Sequence, residues 1–379
     1  MNIINILKNG ELINCGMYGC IYKFKMNNKY YCIKFNFRQQ EINFLNIYNK
    51  NLKNINTIPK KYFYKYHEAE IKIQKILNTI NGYDINNKKL PFTIKIYNNG
   101  KITNKKIIDN IKNIIYNKYI KKNKNKSSID EFIYFINICN EINYYVMDYL
   151  PNIQLNNIIF DNKNNLIMKD LKELHTYYFY IIYYLYLINK KYSFEHNDLH
   201  YNNILLVKDD EYEKNKIKYR IIKMNNNYYK LKIYQYRPYI IDFGFSSIYN
   251  KNIINQVIEF YEDNYDFYCL KVINKRILLN KQYNIITNLF WLFLNLICYI
   301  KYNQLDNIIN YLHKNKLKIL ELIFKYHKDN FNKVNIILKK INNKKNKSYC
   351  HYDLYKNIFI KLTNKNVYNF IKPFKINLK

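Results

Sequence analysis

The sequence predicts an α+β chain, β-rich in its first part and mainly helical in its second, and three observations lead there. ELINCGMYGCIYKF and KYYCIKF are two β-type runs on either side of MNN, a hairpin-like start. YYVMDYL at 144–150 is a continuous apolar run ending at Pro151, the pattern of a buried strand entering a connection. Leu171, Leu174, Tyr178, Ile181, Leu185 and Ile188 form a stripe at helical spacing, so 170–192 is expected as a long helix.

The remaining elements follow in order. Ile73, Ile76, Leu77 and Ile80 predict a helix over 66–80 that stops before Gly82. Residues 98–128 are dense in Lys and Asn and are expected as a solvated insertion. After ILLV comes a second, polar insertion at about 208–237, and then YIIDFGFS, an apolar strand that delivers an Asp into a turn. Beyond 266 the pattern is mainly helical, interrupted by a Lys- and Asn-rich stretch at 342–348; no internal repeat occurs. The expected division is 1–149 and 150–379.

A chain of 379 residues, 49% hydrophobic, can bury a sizeable core in one large domain, a two-lobed one or two small ones. Its 62 Lys and Arg against 28 Asp and Glu leave a net charge of +34, which favours nonspecific contact with polyanions. The saturation with Lys, Asn, Ile, Tyr and Phe is also what an AT-rich genome produces, so basicity alone does not define a nucleic-acid protein. With 44 tyrosines, a base-stacking stripe does not stand out from background. Seven cysteines, at 15, 20, 32, 139, 269, 298 and 350, show no CxxC or Cys/His ligand spacing. Their odd number does not suggest a disulfide framework, and a reducing intracellular compartment fits best. The N-terminus lacks a secretory pattern, and NLFWLFLNLICYI at 288–300, with its Trp291, is too short to span a bilayer and is expected as a buried helix.

The chemistry is concentrated in FEHNDLHYNNILL at 194–206. Asp198 early in a loop can orient a hydroxyl and accept its proton, and the Asn203 amide oxygen five residues later can ligate a metal. Phosphoryl transfer needs positioning and charge neutralisation more than covalent chemistry, and the rest of the chain supplies parts for both. Gly16 and Gly19 lie between β-type runs, where a missing side chain lets backbone N–H groups approach phosphates; they would also serve as plain turn residues. Lys34, fifteen residues after Gly19 on an apolar strand, needs a partner. Glu70 is the preferred one because Ile73 and Leu77 follow on its face; Glu68 competes. Asp242 of IIDFG is the second metal ligand.

This set resembles the eukaryotic-type protein kinases from about residue 10 to about 300. It is most similar to the haspin-type kinases and the related Ser/Thr kinases of large DNA viruses. FEHNDLHYNNILL with His200, the long insertion before YIIDFGFS, EDNYDFYCL and NLFWLFL carry the likeness. The resemblance implies a two-lobed protein-kinase-like fold and transfer of the ATP γ-phosphoryl group to a protein Ser or Thr. Gly16, Gly19, Ile21 and Lys34 would bind ATP, with adenine held near Asp148 and Leu150. Mg2+ would be the metal, Mn2+ the alternative, at Asn203 and Asp242. His196, Phe243, Gly244 and Asp266 would support the catalytic loop. A monomer without a transmembrane segment is expected, in the nucleus or host cytoplasm or carried in a virion. A histone tail is the expected protein substrate if the likeness extends to specificity.

The departures are specific. Asn14 stands at the first glycine position, Asn197 replaces the Arg before the catalytic Asp, and no Ala-Pro-Glu follows IIDFGFS. The His-x-Asp-Leu-His-x-x-x-Asn order is shared with small-molecule phosphotransferases of the aminoglycoside and choline kinase group. A pseudokinase-like binding scaffold is the third reading. A basic peptide would need an acidic surface, for which DDEYE at 209–213 and EFYED at 259–263 are the candidates, a solvated loop being the other reading of each. His175 on the long helix is expected to be structural.

Overall fold

The computed structural model describes residues 3–16, 19–38, 63–120, 139–161, 167–196, 199–214, 217–244, 246–249, 302–315 and 371–377, with single positions between 133 and 137, 288 and 292, and 321 and 332. In chain order the elements are α1 (Ile3–Asn9), β1 (Glu11–Gly16), β2 (Gly19–Met26), β3 (Lys29–Arg38), α2 (Phe63–Asn78), β4 (Gly82–Tyr83), β5 (Lys89–Leu90), β6 (Ile96–Ile102) and α3 (Lys105–Ile115). There follow β7 (Glu141–Asp148), β8 (Asn152–Gln154), α4 (Leu155–Ile159), α5 (Leu171–Lys191), β9 (Ser193–Glu195), β10 (Ile204–Lys208), α6 (Asp210–Glu213), β11 (Tyr219–Met224), β12 (Asn227–Lys232), β13 (Tyr236–Ile240), β14 (Ser247–Tyr249), α7 (Tyr302–Lys314) and β15 (Lys375–Ile376). They group into two compact units, 1–78 with 94–150, and 79–93 with 151–379. Residues 79–93 thus join the second unit, although the sequence places them in the first part.

The first unit is a sheet in the order β1-β2-β3-β7-β6, antiparallel throughout. Asn27 and Asn28 (φ 49° and 60°) make the β2–β3 turn, the left-handed pair whose twist suits a two-residue hairpin. Tyr22, Phe24, Ile33, Phe35, Phe37, Ile142 and Val146 are buried together with Ile108, Ile111 and Ile115 of α3. Residues 98–128 therefore need correcting. Over the described positions to 120 they are the edge strand β6 and an amphipathic helix. The Lys and Asn residues line the outer face of that helix, while isoleucines at i, i+3 and i+7 bury the other. Asn104 caps α3 by accepting from Ile107 N, and Lys118 Nζ donates to the carbonyls of Leu7, Lys8 and Gly10 at the end of α1.

In the second unit, β10 is the middle strand of β13-β10-β8. Helix α5 is enclosed along most of its length, with residues 174–185 and Ile188 buried. Asp170 caps it through Lys172 N, and Lys190 and Lys191 stand in its last turn, where the helix dipole favours cations. His175 is buried beneath Phe374, ring centroids 4.6 Å apart, just before β15 pairs with β12. The polar stretch expected as a second insertion is the β11–β12 hairpin, turned at Asn225 and Asn226 (φ 48° and 58°). It is stapled from inside: Arg220 donates to Asp209 at 2.8 and 3.0 Å and to the Tyr180 hydroxyl oxygen at 2.7 Å, while Arg237 reaches Tyr184 and the Pro91 carbonyl. Of NLFWLFLNLICYI, Asn288, Leu289 and Leu292 are buried; Trp291 lies outside the described residues. No helix of the described residues is long and apolar enough to cross a membrane.

Candidate active site

The first unit holds the glycines, Ile21, Lys34, Glu70, Asp148 and Leu150. Antiparallel register places Ile21 opposite Lys34 and Lys34 opposite Tyr145. Lys34 Nζ donates to Glu70 Oε1 at 2.7 Å, and the Tyr145 hydroxyl donates to the same oxygen at 2.9 Å. The Lys34 ammonium also sits 5.6 Å from the Tyr145 ring centroid. Ile73 and Leu77 turn the Glu70 face of α2 inward, and Glu70 is 2% exposed; a carboxylate so placed is tolerated because a cation and a hydroxyl meet it. The Glu68 side chain lies outside the described residues. Tyr145 is a residue that sequence reasoning missed. Its signal was strand alternation, readable only once the β3–β7 register is known.

Gly16 and Gly19 pair across the end of the β1–β2 hairpin. Gly19 is a close-approach position, since a Cβ there would stand 2.0 Å from the Phe35 carbonyl oxygen. Cys15 and Cys20, the adjacent pair, are joined by a disulfide. That corrects the expectation drawn from the cysteine count, because a hairpin brings two residues face to face whatever the parity of the total. Asp148 spends its carboxylate on Lys29 at 2.7 Å and on the Tyr97 hydroxyl at 2.9 Å. The bond to Asp148, joined by a second from Lys29 Nζ to the Tyr97 hydroxyl oxygen at 3.2 Å, holds the Lys29 ammonium above the usual lysine range. Leu150 follows at the end of the unit.

The second unit holds His196, His200, Asn203, Asp242, Phe243 and Gly244. His200 caps a 3-10 turn over Tyr201–Asn203, its Nδ1 accepting from Asn202 N at 3.2 Å and its carbonyl from Asn203 N at 2.9 Å. Tyr201 fixes that turn to α5 through a 2.6 Å hydroxyl contact with Tyr178, and burial pushes both phenols above their ordinary range. Asn203 is thereby held 6% exposed. Its carbonyl accepts from Ile241 N at 3.0 Å, where β10 begins opposite the end of β13, and Asp242 is the residue that follows Ile241. Asp242 is exposed and has φ 61°, a left-handed conformation that costs a non-glycine residue energy and collects at functional sites.

Phe243, 1% exposed, packs 5.4 Å from the His196 ring, and His196 Nε2 donates to the Ile241 carbonyl at 3.0 Å. His196 N is held in turn by Asn288 Oδ1 at 2.9 Å, and Ser246 Oγ donates to the His196 carbonyl. The fully buried His196 thus braces the segment carrying Asp242. Asp198, Asn197, Asp266 and EFYED lie outside the described residues. The acidic stretch 209–213 is divided: Asp209 is buried, while Asp210 and Glu213 are exposed. Asp209 is held by Arg220, Glu211 pairs with Lys88, and Glu213 with Lys208.

The Asn203 amide oxygen and the Asp242 carboxylate are hard oxygen donors, the kind that could hold a magnesium ion keeping water and phosphate oxygens as its other ligands. Among the described residues no group of three or more His, Cys, Asp or Glu stands together as a self-sufficient metal centre.

No protein-family model matches the sequence. No curated protein matches it. Among solved structures, a crystallised kinase domain is similar over 65% of this chain and 52% of its own, at 18% identity and TM-score 0.33. This chain therefore spans about half of that one. WaaP in complex with acyl carrier protein is similar over 78% of this chain and 75% of its own, at 8% identity and TM-score 0.33. Scores at that level assign no fold, and the residues themselves carry the functional reading.

Proposed function

We propose that the protein is an ATP-dependent phosphotransferase of the protein-kinase type, acting on a Ser or Thr hydroxyl of a protein. The observation that carries this reading is the Lys34–Glu70–Tyr145 cluster: a lysine on a central strand, oriented by a buried carboxylate and still 19% exposed at its side chain. A lysine held in that way supplies a fixed positive charge for the α- and β-phosphates of ATP. Backbone amides around Gly16 and Gly19 would cover the phosphates, Ile21 would face the nucleotide, and the chain near Asp148 and Leu150 would take the adenine.

Asn203 and Asp242 would hold Mg2+, which when bound neutralises charge on the phosphate oxygens. Asp198 orients the substrate hydroxyl and takes its proton late in transfer. His196 and the Phe243–Gly244 segment keep Asp242 in place, and His200 shapes the turn that carries Asn203. Burial of Asp209 against Arg220 removes one of the acidic groups that a basic peptide would meet at 209–213, and the His-x-Asp-Leu-His-x-x-x-Asn order is the support for the small-molecule phosphotransferase reading.

The test is transfer of labelled γ-phosphoryl from ATP with Mg2+ to histones, casein, aminoglycosides and choline in parallel. Asp198→Asn is the control. Label on protein Ser or Thr, reduced by about 10²- to 10⁴-fold in the variant with ATP binding retained, is expected. Label on the small molecules alone would replace the protein-kinase reading with its rival, and a fully active variant would remove Asp198 from its role.

A further inference from the structure

We propose that Cys15 and Cys20 are a reversible thiol–disulfide site whose oxidation fixes the Gly16 end of β1 to β2 and tightens the hairpin's grip on a nucleotide; the second half of this statement rests on the function proposed above. The two residues are direct partners across β1 and β2, 4.2 Å apart at Cα, and the covalent ring they close contains only Gly16 to Gly19. The two sides of that ring are anchored unequally. β2 lies between β1 and β3, and Gly19 is wedged against the Phe35 carbonyl. Among the described residues β1 is an edge strand, paired with β2 alone, and its register shifts between Leu12 and Asn14. Gly16 therefore hangs from the loosely held side, and glycine there adds backbone freedom. The disulfide ties the loose strand to the wedged one at the residue where the turn begins.

Exchange with a low-molecular-weight thiol balances in two steps. A thiolate attacks the sulfur of Cys15, the more accessible of the two since Cys20 is fully buried; the Cys15–Cys20 bond breaks, Cys15 carries the mixed disulfide, and Cys20 leaves as a thiolate that takes a proton. A second thiolate attacks the mixed disulfide, releasing the low-molecular-weight disulfide and Cys15 as a thiol. Two external thiols are oxidised and the protein disulfide is reduced; glutathione disulfide drives the reverse. In the reduced state only part of the population keeps Gly16 in register with Gly19, and the apparent affinity falls by that fraction.

The experiment uses the full chain equilibrated with either glutathione disulfide or excess glutathione. Differential thiol alkylation with peptide mass mapping reads the pair, and calorimetric titration with ATP and Mg2+ reads the affinity. The 15–20 peptide is expected to shift between disulfide and dithiol, with on the order of tenfold tighter ATP binding in the oxidised protein. Cys15→Ser, at the more accessible position, should bind like the reduced protein under both conditions. A pair that stays in one state across the whole glutathione range, or equal ATP affinity in both states, overturns the switch. If neither state binds ATP, the coupling falls with the nucleotide reading, while the mass mapping still decides separately whether the pair cycles.

Discussion

Two buried carboxylates with basic partners, one in each unit, show how differently one kind of contact is used. In Lys34–Glu70 the acid is enclosed (2% exposed) while the lysine keeps 19% of its side chain open. In Arg220–Asp209 both partners are enclosed, at 2% and 4%, and the guanidinium binds both carboxylate oxygens while also meeting Tyr180. A charge whose donors all turn inward holds the fold. One that leaves part of itself open remains able to meet a ligand, and it needs a neighbour only to keep it pointing the right way.

The comparison breaks most readily at Arg220. Arg220→Met leaves Asp209 enclosed with the longer contact from Arg237 and the Glu211 N–H, and without its close cation, so a stability loss of about 3–5 kcal/mol is expected in denaturant titration. A change under about 1 kcal/mol would make the pair a spectator. Lys34→Arg is the complementary substitution. It keeps a cation beside Glu70, so melting should hardly move, while a planar fork in place of a compact ammonium should lower phosphoryl transfer roughly a hundredfold. Unchanged transfer would place Lys34 with the structural pairs.

A smaller effect sharpens the difference in pH. Burial by itself would raise the Asp209 carboxyl, but the hydrogen bonds and charge of Arg220, joined by Arg237, outweigh it and leave the group below its usual range. A carboxyl depressed in the folded state contributes stability that is complete above its unfolded value of about 3.9 and is lost as the pH falls below that value. The acid limb of the stability profile should therefore be shallower in Asp209→Asn than in the native chain, measured by urea unfolding at a series of acidic pH values. Equal slopes would assign the acid sensitivity elsewhere. The smallest effect belongs to the exposed Lys208–Glu213 pair, 54% and 52% exposed, where Glu213→Gln should change stability by less than about 0.5 kcal/mol.

Much of this was legible beforehand, for stated reasons. The β2–β3 hairpin is written in MNN, because asparagine tolerates the left-handed turn that such hairpins demand. Helix α5 is written in its apolar stripe, and Glu70 in the spacing of Ile73 and Leu77. Polar composition suggests a solvated insertion at 98–128, yet its described part to 120 holds a strand and a helix with a buried face, and the polar stretch at about 208–237 holds the β11–β12 hairpin. Lys and Asn fill many of the outward positions in these segments, so low average hydropathy hides helices and strands that bury one face. Tyr145 was invisible among 44 tyrosines, since nothing in its neighbours marks it as the one opposite Lys34.

By itself the sequence determined which side chains are available for chemistry, in what order, and on what local element each is carried. Those features depend on spacing within a few residues, which periodicity and turn chemistry record. Only the tertiary structure decided the partners: Tyr145 sharing Glu70 with Lys34, Cys15 meeting Cys20, His196 beneath Phe243, and Arg220 enclosing Asp209 at the start of the acidic stretch. Partnership follows from strand register and burial, and in a chain so rich in Lys, Tyr and Asn many pairings have equal local claims. Packing selects the one that leaves no buried charge without its counterpart.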